Sequence, residues 1–311
     1  MVLRAALLWL SEQRGIFSFI RGNRLARRFA ARFVAGETVE AAVAALAELN
    51  AAGISASLDL LGESVTSAAE AGAARDTYRE TLDRIRQTGA DSNVSVKLTQ
   101  MGLDLDERLC VENMRAIIAK ARSYGSFVRI DMEQSAYTDT TLRLFRRTFH
   151  PEFGSTVGVV LQSYLRRTQQ DLEEMIALGA RVRLCKGAYK EPPDVAFPDK
   201  RDVDANYVRC MERLLERGNY PGIATHDTKI IAHAKDFARR GGVAPQRFEF
   251  QMLYGVRRDL QQGLRRAGYN VRVYVPFGSH WYPYLMRRLA ERPANIAFLL
   301  GNVVRESLRR S

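Results

Sequence analysis

The sequence predicts an α/β fold of the (β/α)8, TIM-type barrel class, and three observations lead there. Eight short β-rich runs recur along the chain, at residues 55–60, 94–98, 127–132, 157–161, 182–185, 222–225, 248–252 and 271–275. Helical stretches with one apolar face separate them. Eight such units in series are what closure requires, over a usual length of about 250 residues. Finally, no G-x-G-x-x-G opens the first unit, which weakens the open, doubly wound alternative.

Residues 21–33 and 38–49 read as helices ahead of the first strand. Residues 1–50 are therefore expected to form an N-terminal helical extension, and residues 51–311 the barrel. Further on, Met114, Ile117, Ile118 and Ala121 share one helical face, and Gly125 ends that helix. Thr168 and Asp171 have capping-box spacing ahead of Leu172, Met175 and Ile176. Val208, Met211 and Leu215 make another stripe, and Asp227 is placed to cap the helix holding Ile230 and Ala234. After the eighth strand, Gly278 and Ser279 punctuate the chain. A helix carrying Tyr284, Arg287 and Arg288 follows, and residues 293–310 read as a terminal helix.

With 311 residues and 46% hydrophobic content, the chain can bury a sizeable core. Its net charge of +12 and pI near 9.9 admit nucleic acid, an anionic membrane surface or anionic ligands. The excess is dispersed over Arg-rich faces at 21–32 and 305–310, without an aromatic-interleaved module or zinc-knuckle spacing, so charge does not select nucleic acid. Cys110, Cys185 and Cys210 are odd in number and form no C-x-x-C pair, which fits a reducing cytosol without disulfides. The apolar opening at residues 1–10 is broken by Glu12 and Arg14 and is too short to span a bilayer. The expectation is a cytoplasmic protein whose basic surface is compatible with peripheral docking on the inner face of the cell membrane.

The strand tips carry the functional signal. In order they are Glu63, Lys97, Asp131, Gln162, Lys186, Thr225-His226, Gln251 and Tyr274, and in a barrel they face one mouth. One polar tip means little, because a strand end must meet water anyway; eight in succession point to an active site. Arg287 and Arg288 offer planar forks that suit a carboxylate or phosphate, although the pair by itself reads more readily as a solvated basic face. Metal hydrolysis is poorly served: the four histidines include no H-x-H pair, and only His226 lies at a tip. A Schiff-base aldolase could use Lys97 or Lys186. However, Gly187-Ala188-Tyr189 lets backbone approach a bulky ligand, which suits Lys186 to a phosphate as well. A non-enzymatic basic module explains the charge and leaves the tips unexplained.

Six ordered runs then carry a resemblance: Asp131-Met-Glu-Gln, Leu161-Gln-Ser-Tyr-Leu-Arg-Arg-Thr, Arg183-Leu-Cys-Lys-Gly-Ala-Tyr-Lys-Glu-Pro, Ala224-Thr-His-Asp, Phe248-Glu-Phe-Gln-Met-Leu-Tyr-Gly and Tyr284-Leu-Met-Arg-Arg-Leu. They resemble flavin-dependent proline dehydrogenases, in the monofunctional bacterial form, and the match spans residues 55–302. The resemblance implies a distorted barrel binding FAD noncovalently over its C-terminal mouth. The reaction it implies is oxidation of L-proline to 1-pyrroline-5-carboxylate by hydride transfer to flavin N5, the first step towards glutamate. A membrane quinone would take the electrons, the product would pass to pyrroline-5-carboxylate dehydrogenase, and nucleic acid has no part.

By motif, Arg287 and Arg288 would clamp the substrate carboxylate with Lys97 as a third cation, and Tyr189, Leu253, Tyr274 and Tyr284 would wall the ring. Asp131 would hold Tyr274, and Glu63 would pair with Arg287 as a gate. For FAD, Arg183 would lie by the reactive nitrogen, Gln162 and Gln251 would bond the ring's polar edge, and Met132 and Val160 would line it. Lys186, Gly187, Ala188, Thr225 and His226 would take the ribityl and pyrophosphate, and Glu291 an adenosine-side contact. Cys185 stands where the pattern leads one to expect valine.

Overall fold

A computed structural model describes residues 30–291, with side chains through residue 286. Eight parallel strands pair in chain order and the eighth closes on the first. They are β1 Ser55–Leu60, β2 Ser92–Val96, β3 Val128–Ile130, β4 Val157–Gln162, β5 Arg181–Cys185, β6 Gly222–Ala224, β7 Glu249–Leu253 and β8 Asn270–Phe277. All eight expected strands are present, with ends shifted by a few residues. The helices are α1 Val39–Ala51, α2 Ala68–Thr88, α3 Glu107–Ser123, α4 Ser135–Leu144, α5 Thr168–Ala177, α6 Lys200–Arg217, α7 Thr228–Arg240, α8 Arg258–Arg266 and α9 Trp281–Glu291. The expected helix at 293–310, the arginines at 305–310 and residues 21–29 of the expected helix at 21–33 lie outside the described residues.

Local chemistry accounts for most helix ends. Thr38 accepts from Ala41 N at the start of α1, whose Ala42 and Leu46 are fully buried in the core. Asp227 caps α7 by accepting from Lys229 N at 3.0 Å. Helix α3 ends at Tyr124, and Gly125 follows in the left-handed region that favours glycine. The capping box expected at α5 does not form. Thr168 lies one residue inside the helix, and its hydroxyl donates to Gln162 O at 2.5 Å; Asp171 instead accepts from Arg167 Nε at 2.7 Å. Thr168 thereby ties the helix start to the β4 tip rather than to its own third residue.

Along every strand, side chains alternate between the helix-facing surface and the barrel interior. The outer set is apolar and fully buried, as with Leu58, Val94, Val128, Val159, Leu184 and Phe250. The inner set is polar, which departs from the branched aliphatic filling usual in this fold. It includes Ser57 and Asp59, Ser95 and Lys97, Arg129 and Asp131, Glu249 and Gln251, and Arg272, all buried. Glycines stand at inner positions beside the largest of these. A Cβ on Gly158 would come within 2.7 Å of Arg129 Nη1 and within 2.4 Å of the Arg181 backbone oxygen. Arg129 fills that space, and its Nη1 donates to Val159 O at 3.1 Å and to Arg181 O at 2.5 Å.

Because the nearest atom to that Cβ belongs to backbone, the interior cannot yield cheaply. Gly158→Ala should lower stability by about 1–3 kcal/mol, the usual cost of overpacking. Denaturant unfolding of the variant beside wild type checks this; an unchanged midpoint would mean that Arg129 is not held where it lies.

Candidate active site

The strand tips enclose one cavity of about 630 Å³ at the C-terminal mouth. Its wall includes most of the residues singled out by motif. Lys97, Asp131, Met132, Val160, Gln162, Arg183, Lys186, Gly187, Ala188, Tyr189, Thr225, His226, Gln251, Leu253, Tyr274 and Tyr284 all line it, as does Cys185. Glu63 is not among the lining residues. It lies beyond the end of β1, and the β1 carboxylate on the cavity wall is Asp59, four residues earlier. Helix α9 carries Arg287, Arg288 and Glu291, but their side chains, and with them the Glu63–Arg287 pairing, lie outside what is described.

Arg183 is the hub of this mouth. Its Nη1 donates to Asp131 Oδ1 at 2.7 Å, its Nε to Gln251 Oε1 at 2.5 Å, and its Nη2 to Ser95 Oγ at 3.0 Å. The Tyr274 hydroxyl donates to the other Asp131 oxygen at 2.8 Å, and the Arg183 guanidinium lies 5.2 Å from the Tyr274 ring centroid. Four strands thus fix one cation. Gln251 in turn donates through Nε2 to Glu249 Oε1 at 2.6 Å, so its amide is engaged on both sides, the carbonyl by Arg183 and the nitrogen by Glu249; the motif assigned it to the cofactor edge.

Lys97 is ion-paired with Asp59 at 2.8 Å, with both groups buried. Burial opposes its charge, but the Asp59 and Asp131 carboxylates outweigh that and hold its pKa well above the ordinary lysine value. A Schiff-base lysine must be neutral to attack, so this shift runs against an aldolase. Lys186 sits between Asp204 Oδ1 at 2.5 Å and Asp227 Oδ2 at 3.2 Å, and Lys200 also pairs with Asp204. Although burial pushes both carboxyls up, Lys186 outweighs it and holds them below the usual carboxylate value. An arriving phosphate would therefore share Lys186 with two carboxylates.

Gly187, at φ +105, lies flat against a protein ring: an added Cβ would fall 2.4 Å from Tyr164 Cδ1. The close backbone approach expected for a bulky ligand is made to Tyr164. Its hydroxyl donates to Glu191 Oε1 at 3.2 Å, and Glu191 also accepts from Ser135 N at 2.8 Å. This joins the Tyr189 segment to the start of α4. His226 accepts from Leu253 N at 3.0 Å through Nε2, which aligns the sixth and seventh tips. Gln162 donates to Met132 O at 3.4 Å, while its buried Oε1 has no partner among the described residues.

The family model for proline dehydrogenase matches residues 42–300. The chain belongs to the proline dehydrogenase family. It is 44% identical over 306 residues to proline dehydrogenase of Deinococcus radiodurans, covering 97% of this chain and 98% of that one. With proline dehydrogenase 1 of Bacillus subtilis strain 168 it shares 41% over 307 residues, covering 98% and 100%. The coverage is that of the monofunctional bacterial enzymes, and this proline dehydrogenase is an oxidoreductase of that kind. A crystal structure of proline utilization A from Bdellovibrio bacteriovorus, inactivated by N-propargylglycine, superposes with a TM-score of 0.81 at 27% identity. That match covers 89% of this chain and 34% of the longer protein.

Motif reading missed Asp59, Ser95, Glu249, Arg272 and Asp204. The first four are inner-facing strand residues; Ser95, Glu249 and Arg272 are legible as a second polar position two residues before a tip, and Asp59 lies four residues before Glu63. Asp204 sits on α6 and had no such signal. Glu133 was also passed over. It is buried, and both its oxygens accept from Thr99, the N–H at 3.1 Å and the hydroxyl at 2.5 Å. Burial pushes its carboxyl up to about 7 from an ordinary 4.5, against the pull of those bonds. The folded state then binds this proton more tightly than the unfolded state does. The group's contribution to stability therefore falls as pH rises from 4.5 through about 7. Glu133→Gln should flatten that fall, so thermal midpoints taken at intervals between about pH 5 and 8 should diverge increasingly in the variant's favour. Parallel curves would show that Glu133 does not titrate in this range.

Proposed function

We propose that this enzyme oxidises L-proline to 1-pyrroline-5-carboxylate with noncovalently bound FAD as acceptor, and that a membrane quinone takes the electrons on. This is the first step of proline degradation to glutamate. The observation that carries the cofactor is Gln162 Oε1, a buried acceptor without a partner among the described residues on the wall of the cavity that Arg183 shares. An unsatisfied buried acceptor is costly unless a ligand donor meets it, and the flavin ring edge presents an N–H. Bound FAD supplies the hydride acceptor. The cavity wall also carries more lysine and arginine side chains, Lys97, Arg183, Lys186 and Lys200, than carboxylates, Asp59, Asp131 and Asp227. Such an excess favours negative charge at the mouth.

The chain's own residues then have distinct tasks. Arg183, unable to swing because three partners hold it, presents fixed positive charge where negative charge develops. Met132 and Val160 line the ring, and Lys186, Gly187, Ala188, Thr225 and His226 hold the ribityl and pyrophosphate portion. Gln162 bonds the polar edge, and Glu291 serves the adenosine side. Tyr189, Leu253, Tyr274 and Tyr284 exclude water from around the substrate ring. Asp131 keeps the Tyr274 phenol oriented through the 2.8 Å bond. Lys97, neutralised by Asp59, orients a carboxylate more than it attracts one. Arg287 and Arg288 supply the main attraction as a two-fork clamp, with Glu63 closing over Arg287. The net charge of +12 supports peripheral docking at an anionic membrane, where quinone is reached and product can pass to pyrroline-5-carboxylate dehydrogenase.

Purified protein should be yellow, and anaerobic L-proline should bleach it. A colourless protein that stays inactive after reconstitution with FAD would sink the proposal. For the clamp, a charge-assisted bidentate bond contributes about 1.5–3 kcal/mol. Arg287→Lys and Arg288→Lys should each raise KM for proline by roughly ten- to a hundredfold and lower kcat, because the bond also positions the ring. Steady-state kinetics at matched flavin content decide this; wild-type constants in both variants would make the clamp wrong.

A further inference from the structure

We propose that Gln251 is a positioning residue that fixes the Arg183 guanidinium, and that the buried Glu249 sets the direction in which its amide points. The inference rests on the flavin reading above and concerns Gln251, on the cavity wall, and Glu249 and Arg272 beneath it. Its basis is an unbroken buried chain. Arg272 Nε lies 2.9 and 3.0 Å from the two Glu249 oxygens, and Arg272 Nη1 donates to Ala56 O at 2.7 Å. Glu249 accepts from Gln251 Nε2 at 2.6 Å, and Gln251 Oε1 accepts from Arg183 Nε at 2.5 Å. Burial pushes the Glu249 carboxyl up, but Arg272 outweighs it and holds the group below its ordinary value, so it stays an acceptor.

A carboxylate can only accept, and an arginine can only donate. An amide placed between them therefore has one orientation that satisfies both neighbours. Turning it over would set N–H against N–H and oxygen against carboxylate, two repulsions in a low-dielectric interior. Space enforces the same result. A Cβ on Gly222 would come within 2.5 Å of Gln251 Nε2 and 2.9 Å of its Cδ, so the amide has no room to move aside on that flank. With the Gln251 carbonyl locked, the Arg183 plane is set from one edge, while Asp131 and Ser95 set it from the other.

The experiment compares three forms of the full-length protein with wild type: Gln251→Met, which removes the relay without changing charge; Gly222→Ala, which crowds the amide; and the exchange Glu249→Gln with Gln251→Glu. The exchange keeps net charge and the continuity of the chain while reversing only the 249–251 bond: the carboxylate at 251 accepts from Arg183 and from the amide at 249, whose single carbonyl oxygen accepts from Arg272. Gln251→Met should slow anaerobic flavin reduction at saturating L-proline by about ten- to a hundredfold, the worth of one charge-assisted bond, and lower the flavin midpoint potential. Half-saturation for proline should move less than about threefold, since the clamp is intact. Gly222→Ala should do the same to a smaller degree, and the exchange should recover most of the lost rate. Nitrogen-15 spectra of the flavin-free chain give a readout that needs no cofactor: the Arg183 Nε–H should be protected from exchange in wild type and in the exchange, and unprotected in Gln251→Met.

A wild-type reduction rate in Gln251→Met, or an equally protected Nε–H there, would overturn the inference. So would an exchange variant as slow as Gln251→Met, because a carboxylate at 251 can replace an acceptor but not a direct donor to the ring. Wild-type protein that binds no FAD would instead refute the functional reading, with the spectra still deciding whether the relay exists.

Discussion

The ion pair between Arg183 and Asp131 is the interaction on which the mouth depends. A guanidinium this deep in a barrel is expensive to desolvate, and it is stable only if its donors are met. They are met by Ser95 of β2, Asp131 just past β3 and Gln251 of β7, so the strands must close in one register for every donor of the cation to be met. Asp131 is similarly committed, to Arg183 on one oxygen and Tyr274 on the other. Closure of the barrel and assembly of the site are therefore one event. Removing either partner would leave a buried charge uncompensated rather than merely delete a contact.

The rest of the interior follows from that requirement. Apolar side chains face outward to the helices, where Leu58, Val159, Leu184 and Phe250 are fully buried. The inner face is freed to carry a stack of charge, with Arg272 and Glu249 below, Gln251 and Arg183 above them, and Lys97 with Asp59 to one side. Gly158 and Gly222 give these long side chains their space. Loops beyond the tips are then fastened to one another, as Glu191 does between Tyr164 and Ser135, and as the Leu253 N–H does on His226.

Much of this was legible from residue order. Eight β-rich runs gave eight strands, and Asp227 caps the helix that its position implied. The motif residues from Lys97 to Tyr284 line one cavity because strands i and i+1 are neighbours in a closed parallel barrel, whatever their sequence separation. Other features were not legible. Thr168 and Asp171 have capping-box spacing, yet Thr168 bonds the β4 tip and Asp171 bonds Arg167, since tertiary partners outcompeted the local ones. The run at 55–60 is β1 itself, but the buried carboxylate on its inner face is Asp59, which was passed over because only residues at and beyond the strand end were read as the tip. Gly187 was read as a place where backbone approaches a bulky ligand, and the sequence could not show that the Tyr164 ring lies against it.

By itself, then, the sequence determined the class of fold, the face that carries chemistry and the family, because alternation, helical periodicity and motif order are properties of a chain read along its length. Only the tertiary structure decided which charges neutralise which. Lys97 belongs to Asp59, Lys186 to Asp204 and Asp227, and Gln251 to Glu249 and Arg183. The physical reason is that a buried charge or amide is governed by groups within about 3 Å of it, and in a closed barrel most of those come from other strands, dozens of residues away in the chain.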